Sequence, residues 1–390
     1  MSRLNFRKIC VVTSSRADYG LLKLLMKKIK NDKELILQTV VTGTHLSSKY
    51  GSTYQEIESD GFRIDRKVKI LSNDNSPSGI LKSMANCQIK FPSIFFELKP
   101  DLIIVLGDRF EIFAITSVAL VECLPVAHLH GGESTEGAID EAFRHSITKM
   151  SHFHFVANDT YRKRVIQLGE KPSKVFNVGG LGVDCIKSIK LIKRDEFERN
   201  IGFKLKNKNL LITFHSVTLE NGSTKKQFLE LLEAIRPLKE TGLIFTLPNA
   251  DTDGLVVIKL INEFVSNNVN AIVFKSLGQL HYLSCMSYMD AVIGNSSSGL
   301  LEAPSLKIPT INIGDRQKGR LQAFSVINCR PERFCIEKAI KNLDSKRFLV
   351  GLKKTISPYG KGGASKKIIK IIKNLKSTGI LKKQFFDLNK

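Results

Sequence analysis

The sequence predicts an α/β protein built from two doubly wound domains, each a parallel sheet wrapped by helices. Three observations predict it. Short apolar runs of strand length alternate with longer amphipathic stretches, the pattern of βαβ units. The alternation breaks in a glycine-rich and then charged region, and afterwards starts afresh. Finally, 390 residues are more than one hydrophobic core organises, and two domains accommodate them.

In the first half, Ile9–Thr13 reads as the opening strand, an apolar run that suits a parallel strand buried on both faces. Tyr19–Lys30 has its leucines at helical spacing and lysines near its end, as a helix does. Leu35–Thr42 is the next strand, Leu102–Leu106 a strand, Phe110–Glu122 a helix, and Val126–Leu129 and Phe153–Ala157 two further strands. Around Val178-Gly-Gly-Leu-Gly-Val-Asp184 the chain turns glycine-rich, and it stays polar to about Asn209. The rhythm then resumes: Leu210–Phe214 strand, Lys225–Leu238 helix, and Leu243–Leu247, Ala271–Phe274, Ala291–Gly294 and Thr310–Ile313 strands. Ala364–Lys376 reads as a lysine-rich amphipathic helix with an Ile/Leu face. The expected domains are 1–185 and 205–363, followed by a helix and tail at 364–390. If two such domains face each other, the carboxyl ends of both sheets border one cleft, where open α/β sheets bind ligands.

Apolar content of 42% and charged content of 25% are those of a soluble globular protein. The net charge of +23 suits nucleic acid, an anionic membrane or an anionic small substrate. The lysines are spread along the chain without the interleaved aromatics that stack single-stranded bases. Neither a nucleic-acid nor a membrane partner is expected. The longest apolar run, Ile112–Val121 between Glu111 and Glu122, is too short to span a bilayer. The seven cysteines form no CxxC pair, so neither a disulfide framework nor a zinc finger is indicated. Reduced thiols and a polar, basic N-terminus without a signal-peptide core point to the cytoplasm.

The chemistry-bearing residues sit where strands end. The segment His128-Leu-His-Gly-Gly-Glu-Ser-Thr-Glu136, continued by Asp140-Glu-Ala-Phe-Arg-His-Ser146, holds most of a cluster of histidines and carboxylates. Thr13-Ser-Ser-Arg-Ala-Asp-Tyr-Gly20 joins the first strand to the first helix. Its hydroxyls suit N-capping, and Arg16 suits a phosphate. Gly107-Asp108-Arg109 follows another strand and sets a carboxylate at the sheet edge. His215 closes the first strand of the second half. Gly294-Asn-Ser-Ser-Ser-Gly299 with Glu302 describes an anion cradle and a sugar acceptor, as for a nucleoside diphosphate. Asn249 and Asp251 add polar groups at one more strand end. There is no GxGxxG or P-loop.

Taken together, several pieces resemble the hydrolysing UDP-N-acetylglucosamine 2-epimerases over nearly the whole chain. They are Ser15-Arg-Ala-Asp-Tyr19, Gly43-Thr-His45, Gly107-Asp-Arg109, Gly131-Gly-Glu133, Ile139-Asp-Glu141 and Arg144-His-Ser-Ile-Thr-Lys-Met-Ser151. Gly294-Asn-Ser-Ser297 with Glu302, and Gly314-Asp-Arg-Gln317, complete the set. The resemblance implies a GT-B-like fold of two Rossmann-like domains, with UDP held mainly by the second. It implies that Ser296 and Ser297 contact the diphosphate, Glu302 the ribose, and Arg16 the leaving phosphates, with His45, Asn249 and Asp251 in the substrate-binding set. Asp108, Asp140 and His215 fall on positions tied to catalysis, and His130 or Glu133 is expected as a further proton carrier. The chain departs from the family at His130, where many relatives have Glu, and at Ser216, where Pro is usual.

The implied reaction expels UDP and removes the C2 proton to give a 2-acetamidoglucal, then adds water at C1 and a proton at C2 on the other face. No metal or cofactor is implied, and a homo-oligomer is expected. UDP-N-acetylglucosamine, feeding sialic acid synthesis, is the first substrate to consider. UDP-N,N'-diacetylbacillosamine, feeding legionaminic acid synthesis, is the alternative. The competing classes are a GT-B glycosyltransferase, a metal hydrolase built on His128 and His130, and a nucleic-acid-binding module.

Overall fold

The structure is a computed structural model that describes residues 7–72, 74, 76–135, 139–215, 223–248, 254–375 and 379–388. It divides into two compact units. The first comprises Met1–Glu133, Ile139–Cys185 and Gly362–Lys390, and the second is built on Ile186–Lys361.

The first unit runs β1 (Lys8–Thr13), α1 (Arg16–Lys30), β2 (Ile36–Thr42), α2 (Tyr54–Ser59), β3 (Arg66–Val68) and α3 (Pro77–Leu98). It continues through β4 (Leu102–Leu106), α4 (Phe110–Val121), β5 (Val126–Leu129), α5 (Asp140–Met150), β6 (Phe153–Val156), α6 (Asp159–Gln167), β7 (Val175–Asn177) and α7 (Leu181–Ser188). The second unit opens with α8 (Arg194–Ile201), β8 (Lys208–Thr213), α9 (Thr224–Ile235), β9 (Thr241–Thr246), α10 (Gly254–Ser266), β10 (Ala271–Phe274) and α11 (Gly278–Ser287). After these come β11 (Ala291–Gly294), the one-turn α12 (Ser298–Leu301), β12 (Thr310–Ile313), β13 (Val326–Cys329), α13 (Arg333–Asn342) and α14 (Lys346–Lys353). The last helix, α15 (Ala364–Asn374), belongs to the first unit.

Every strand pairing is parallel. The orders are β3-β2-β1-β4-β5-β6-β7 and β10-β9-β8-β11-β12-β13. Each order reverses direction once, at β1/β4 and at β8/β11, and a crevice at the carboxyl ends of such strands is where ligands bind. Alternation of side chains explains the double burial. Ile9 and Val11 enter one core with Leu22 and Met26 of α1, while Cys10 and Val12 enter the opposite core with Phe91 and Phe95 of α3. In the second unit Leu210 and Ile212 face Phe228 and Leu231, and Leu211 faces Phe197 and Met286.

The expected separate C-terminal segment is not separate. Ala364, Ile368 and Ile372 of α15 fill the same core as Ile9 and Leu22. Asp184 of α7 accepts from Gly363 N at 2.5 Å and Ser365 N at 2.7 Å, satisfying free amides at the start of α15. The apolar face read from the sequence therefore returns the chain to the first unit.

Candidate active site

At the β1/β4 edge, Asp18 closes the first turn of α1. Its carboxylate accepts from Ser14 N (3.0 Å), Ser15 N (3.1 Å) and Ser14 Oγ (2.9 Å), and also bonds the Thr13 hydroxyl. With Ser15 as N-cap this is a capping box, and it starts the helix at Arg16, three residues ahead of the expected Tyr19. Arg16 is left exposed at the helix start. Gly43 has φ +58, and a Cβ there would run into Ser14 O, so only glycine lets the two loops meet. His45 is fully buried. Its Nε2 lies 3.0 Å from Thr13 Oγ1 and its Nδ1 2.7 Å from Thr53 Oγ1. Burial holds its pKa below the usual imidazole range. Both ring nitrogens thus have partners inside the unit, and the ring clamps Thr13.

Four elements meet at the next strand ends. Arg144 of α5, 1% exposed, forms an ion pair with Asp108 and reaches Glu141 Oε2 at 2.8 Å. It also donates to Glu133 O at 3.0 Å. Arg109 grips the buried Glu111 through two bonds of 3.1 and 2.9 Å. Asp140 is the first residue of α5. Burial, and then the charge of Asp108, raise its carboxyl to about 6 against the pull of Arg109 and Arg144. One carboxylate is thus paired with a buried guanidinium, and its neighbour Asp140 is raised to about 6. A carboxyl raised in this way beside a charged partner suits acid–base chemistry.

His130 sits at φ +63, a left-handed conformation that few non-glycine residues adopt. Its Nε2 accepts from Leu181 N at 3.3 Å, so the ring proton belongs on Nδ1, which lies 2.8 Å from Glu133 Oε1. Gly132 at φ +76 packs against Tyr161 O, where a Cβ would not fit. His128 is fully buried, with Nε2 2.8 Å from Gly107 O and Nδ1 3.1 Å from Thr148 Oγ1, and burial lowers it to about 3. It braces the loop that carries Asp108. Among the described residues no group of three or more His, Cys, Asp or Glu side chains could hold a metal ion.

The second unit presents its own edge at β8/β11. Gly294, φ +136, lies against Thr213 O and leaves no room for a side chain. The Asn295 side chain bonds the backbone of His215 twice: it accepts from the amide at 2.7 Å and donates to the carbonyl at 2.8 Å. Asn295 O in turn accepts from Gln317 Nε2 at 2.9 Å and Arg316 Nη1 at 3.1 Å. The His215 ring is buried, and its Nδ1 has no hydrogen bond among the described residues. Burial and the nearby Arg316 lower it to about 3. Ser296 and Ser297 are part-exposed beside it. Ser296 Oγ lies 3.1 Å from Ser298 Oγ, which meets the Tyr282 hydroxyl at 2.6 Å. A single helical turn, α12, follows, with Glu302 as its C-cap. The charge of Glu302 raises Tyr282 further after burial has done so.

Asp108, Asp140, His130 and Glu133 thus gather on one edge of the first sheet, and His215, Ser296, Ser297 and Glu302 on one edge of the second. Asn249, Asp251 and Ser216 lie outside the described residues. Sequence reasoning gave Arg144 only a supporting place and gave Asp18 and Asn295 no separate role. The one available signal was that each falls inside a strand-exit motif.

Residues 27–373 match the family model described as UDP-N-acetylglucosamine 2-epimerase. The chain is 43% identical, over 98% of its length and 99% of the relative's, to the GDP/UDP-N,N'-diacetylbacillosamine 2-epimerase (hydrolyzing) of Campylobacter jejuni. It is 40% identical to the polysialic acid biosynthesis protein P7 of Escherichia coli, over 98% of each chain. It is 33% identical to the UDP-N,N'-diacetylbacillosamine 2-epimerase (hydrolyzing) of Legionella pneumophila, over 95% of this chain and 96% of that one. In fold it is similar to the Neisseria meningitidis UDP-GlcNAc 2-epimerase bound to UDP-GlcNAc: TM-score 0.82, 18% identity, 94% of this chain and 99% of that chain.

Proposed function

Because the chain belongs to the UDP-N-acetylglucosamine 2-epimerase family and is a UDP-sugar 2-epimerase of the hydrolysing kind, we propose that it converts a UDP-2-acetamido sugar to UDP and the free C2-inverted sugar. The observation that carries the mechanism is the Asp108–Asp140 pair flanked by Arg109 and Arg144. In the first half-reaction the C2–H bond breaks and its electron pair forms the C1=C2 double bond as the C1–O bond to UDP breaks. Asp140, titrating near 6, takes the C2 proton. Asp108, paired with Arg144, faces the positive charge that builds at C1. In the second half-reaction water adds to C1 and a proton reaches C2 from the opposite face. Glu133 is the carrier for that face, and His130 holds it in place, since both nitrogens of His130 are engaged.

On the second unit, Ser296 and Ser297 offer hydroxyls to the diphosphate, Glu302 accepts from the ribose, and His215 stands beside them. The exposed Arg16 neutralises the departing phosphates. Asn249 and Asp251 complete the binding set. A homo-oligomer and a cytoplasmic location are part of the same reading. Seven cysteines that form no disulfide suit a reducing compartment, and no helix among the described residues is long and apolar enough to cross a membrane.

We propose UDP-N,N'-diacetylbacillosamine as the donor, supported by the names of relatives 43% and 33% identical over nearly the full chain. UDP-N-acetylglucosamine is the second reading, supported by the 40% identical protein named for polysialic acid synthesis. Pure protein incubated separately with each donor, with the free sugar identified by NMR, decides between them. Higher kcat/KM on the diacetylated donor is expected. Turnover of UDP-N-acetylglucosamine alone selects the second reading, and no free sugar without an added acceptor would instead mark a glycosyltransferase.

A further inference from the structure

Two of the seven cysteines share one groove in the second unit. Cys329 is the last residue of β13, and Cys335 lies in the first turn of α13. Residues 330–332 turn the chain between them. Both thiols line a groove of about 710 Å³, together with Ile327 and Ala339. Both are part-exposed, whereas Cys10, Cys87, Cys185 and Cys285 are buried. Burial, and then the nearness of Cys335, push the Cys329 thiol up to about 12.

Cys335 has the surroundings of a nucleophile. Its thiol donates to Glu332 Oε2 at 3.6 Å, so a base stands within reach of its proton. Arg330 Nη2 donates to the same sulfur at 3.8 Å and pairs with Glu332 at 3.4 Å. A guanidinium so placed meets the negative charge that forms on an oxygen leaving the atom the sulfur attacks. Cys329, kept protonated by its burial, suits a second step rather than a first.

The pair sits on the edge that carries the proposed nucleotide residues. Cys329 O accepts from Gly314 N at 3.0 Å, beside the register pair Ile313 and Cys329. Gly314 begins the loop whose Arg316 and Gln317 hold Asn295 O, and Asn295 holds the backbone of His215. A cross-link at Cys329 therefore acts on the residue that anchors this loop. Closing it draws the Cys335 sulfur away from Glu332 and Arg330. The narrow geometry of a disulfide leaves the strand end and the helix start to make up the rest.

We propose that Cys335 is a site of oxidation by hydroperoxides, that Cys329 resolves it to a disulfide, and that this bond weakens UDP binding at the neighbouring edge; the last part rests on the UDP reading above. In the first step Glu332 takes the Cys335 proton. The sulfur forms an S–O bond as the O–O bond breaks, and the departing oxygen takes the proton from Glu332 and leaves as water or alcohol. The sulfur is oxidised to a sulfenic acid and the peroxide is reduced. In the second step Cys329 gives its proton to the sulfenic hydroxyl, its sulfur attacks that of Cys335, and water leaves. A reduced dithiol reopens the bond by exchange. Protein disulfides of a reducing compartment are of this transient, sensing kind.

Full-length protein is reduced with dithiothreitol, freed of it, exposed to a small excess of hydrogen peroxide, alkylated while unfolded and digested with trypsin. Cleavage after Arg320, Arg333 and Lys338, and none before Pro331, puts the two cysteines on separate peptides. They are expected as one linked species that dithiothreitol separates. Cys329→Ser is expected to leave a sulfenic acid that dimedone traps on Cys335, and Cys335→Ser to leave Cys329 reduced. Glu332→Gln should slow linkage about ten-fold or more. By calorimetry the linked form is expected to bind UDP about ten-fold more weakly than the reduced form. Dithiothreitol should restore that affinity, and peroxide should leave Cys335→Ser unaffected. Absence of the linked species, or a linked protein with unchanged UDP affinity, would each overturn the proposal. Reduced protein that binds no UDP would instead sink the UDP reading. The peptide map and amide hydrogen exchange over residues 311–317 then decide the pair: exchange quickened by linkage supports it, and unchanged exchange overturns it.

Discussion

At the scale of single residues two carboxylates carry the proposed chemistry, Asp108 in its ion pair with Arg144 and Asp140 with its raised carboxyl. Asp140 sits at about 6 when folded, above the ordinary 3.8 of an aspartate. As a base it must be ionised, so kcat/KM should fall below about pH 6. Asp140→Asn should lower kcat by about 10²-fold or more while calorimetry still detects UDP binding; retained turnover removes Asp140 from the mechanism. The same shift has a sign for stability. Between the unfolded and folded values the folded state binds more protons, so stability falls as pH rises from about 4 to about 6. Asp140→Asn lifts that penalty and should raise Tm at about pH 7.5 as activity is lost, and a thermal melt checks it. Asp108 and Asp140 were legible in the sequence because each follows a strand and a turn. Arg144 as the hub was not, because its partner Asp108 is 36 residues away and only the packing of α5 brings them together. The role of His130 was also hidden, since its tautomer depends on Leu181 N, 51 residues on.

At the scale of elements, α5 carries Asp140 at its start and is fastened at its end by the returning C-terminus. Lys383 Nζ donates to Lys149 O at 2.7 Å and Ser151 O at 2.5 Å, the free carbonyls there, and pairs with the buried Glu170 at 2.8 Å. His154 and Lys149 also reach that carboxylate, which lies at about 2 despite its burial. Its ordinary value is 4.5, so the stability it contributes is present above pH 4.5 and is lost as pH falls toward 2. Lys383→Met should cost about 1–2 kcal/mol in urea unfolding at about pH 7. An unchanged midpoint would show that the strap contributes nothing. Strands β4, β5, β11 and β12 have the bounds read from the sequence, because interior parallel strands are largely apolar runs, and so does the edge strand β10, whose Ala271-Ile-Val-Phe274 is such a run. The edge strands β3 and β13 escaped, since segments such as Arg66-Lys-Val68 carry no such run. Helix α3 escaped because its second apolar face blurs the one-sided pattern that marks a helix.

At the scale of the whole molecule, the two sheets repeat one plan, and each puts its candidate residues beyond the carboxyl ends of its strands. That plan was legible because the rhythm of strands and helices restarts after the glycine-rich break. The return of residues 362–390 to the first unit was not, because an amphipathic helix shows which face it buries but not which core receives it. The charge of +23 acts over the whole surface and attracts an anionic UDP-sugar. Raising ionic strength from about 50 to about 300 mM should lower kcat/KM several-fold and leave kcat nearly unchanged, because screening acts on encounter rather than on the bound complex. Equal losses in both would place the effect in the chemistry. The central claim, hydrolytic 2-epimerisation by elimination and hydration, is tested most directly by running the reaction in D₂O and following the product by proton NMR. The account predicts free UDP and a manno-configured 2-acetamido sugar carrying one deuterium at C2. A product that keeps its C2 proton, or a sugar that remains attached to UDP, would contradict it.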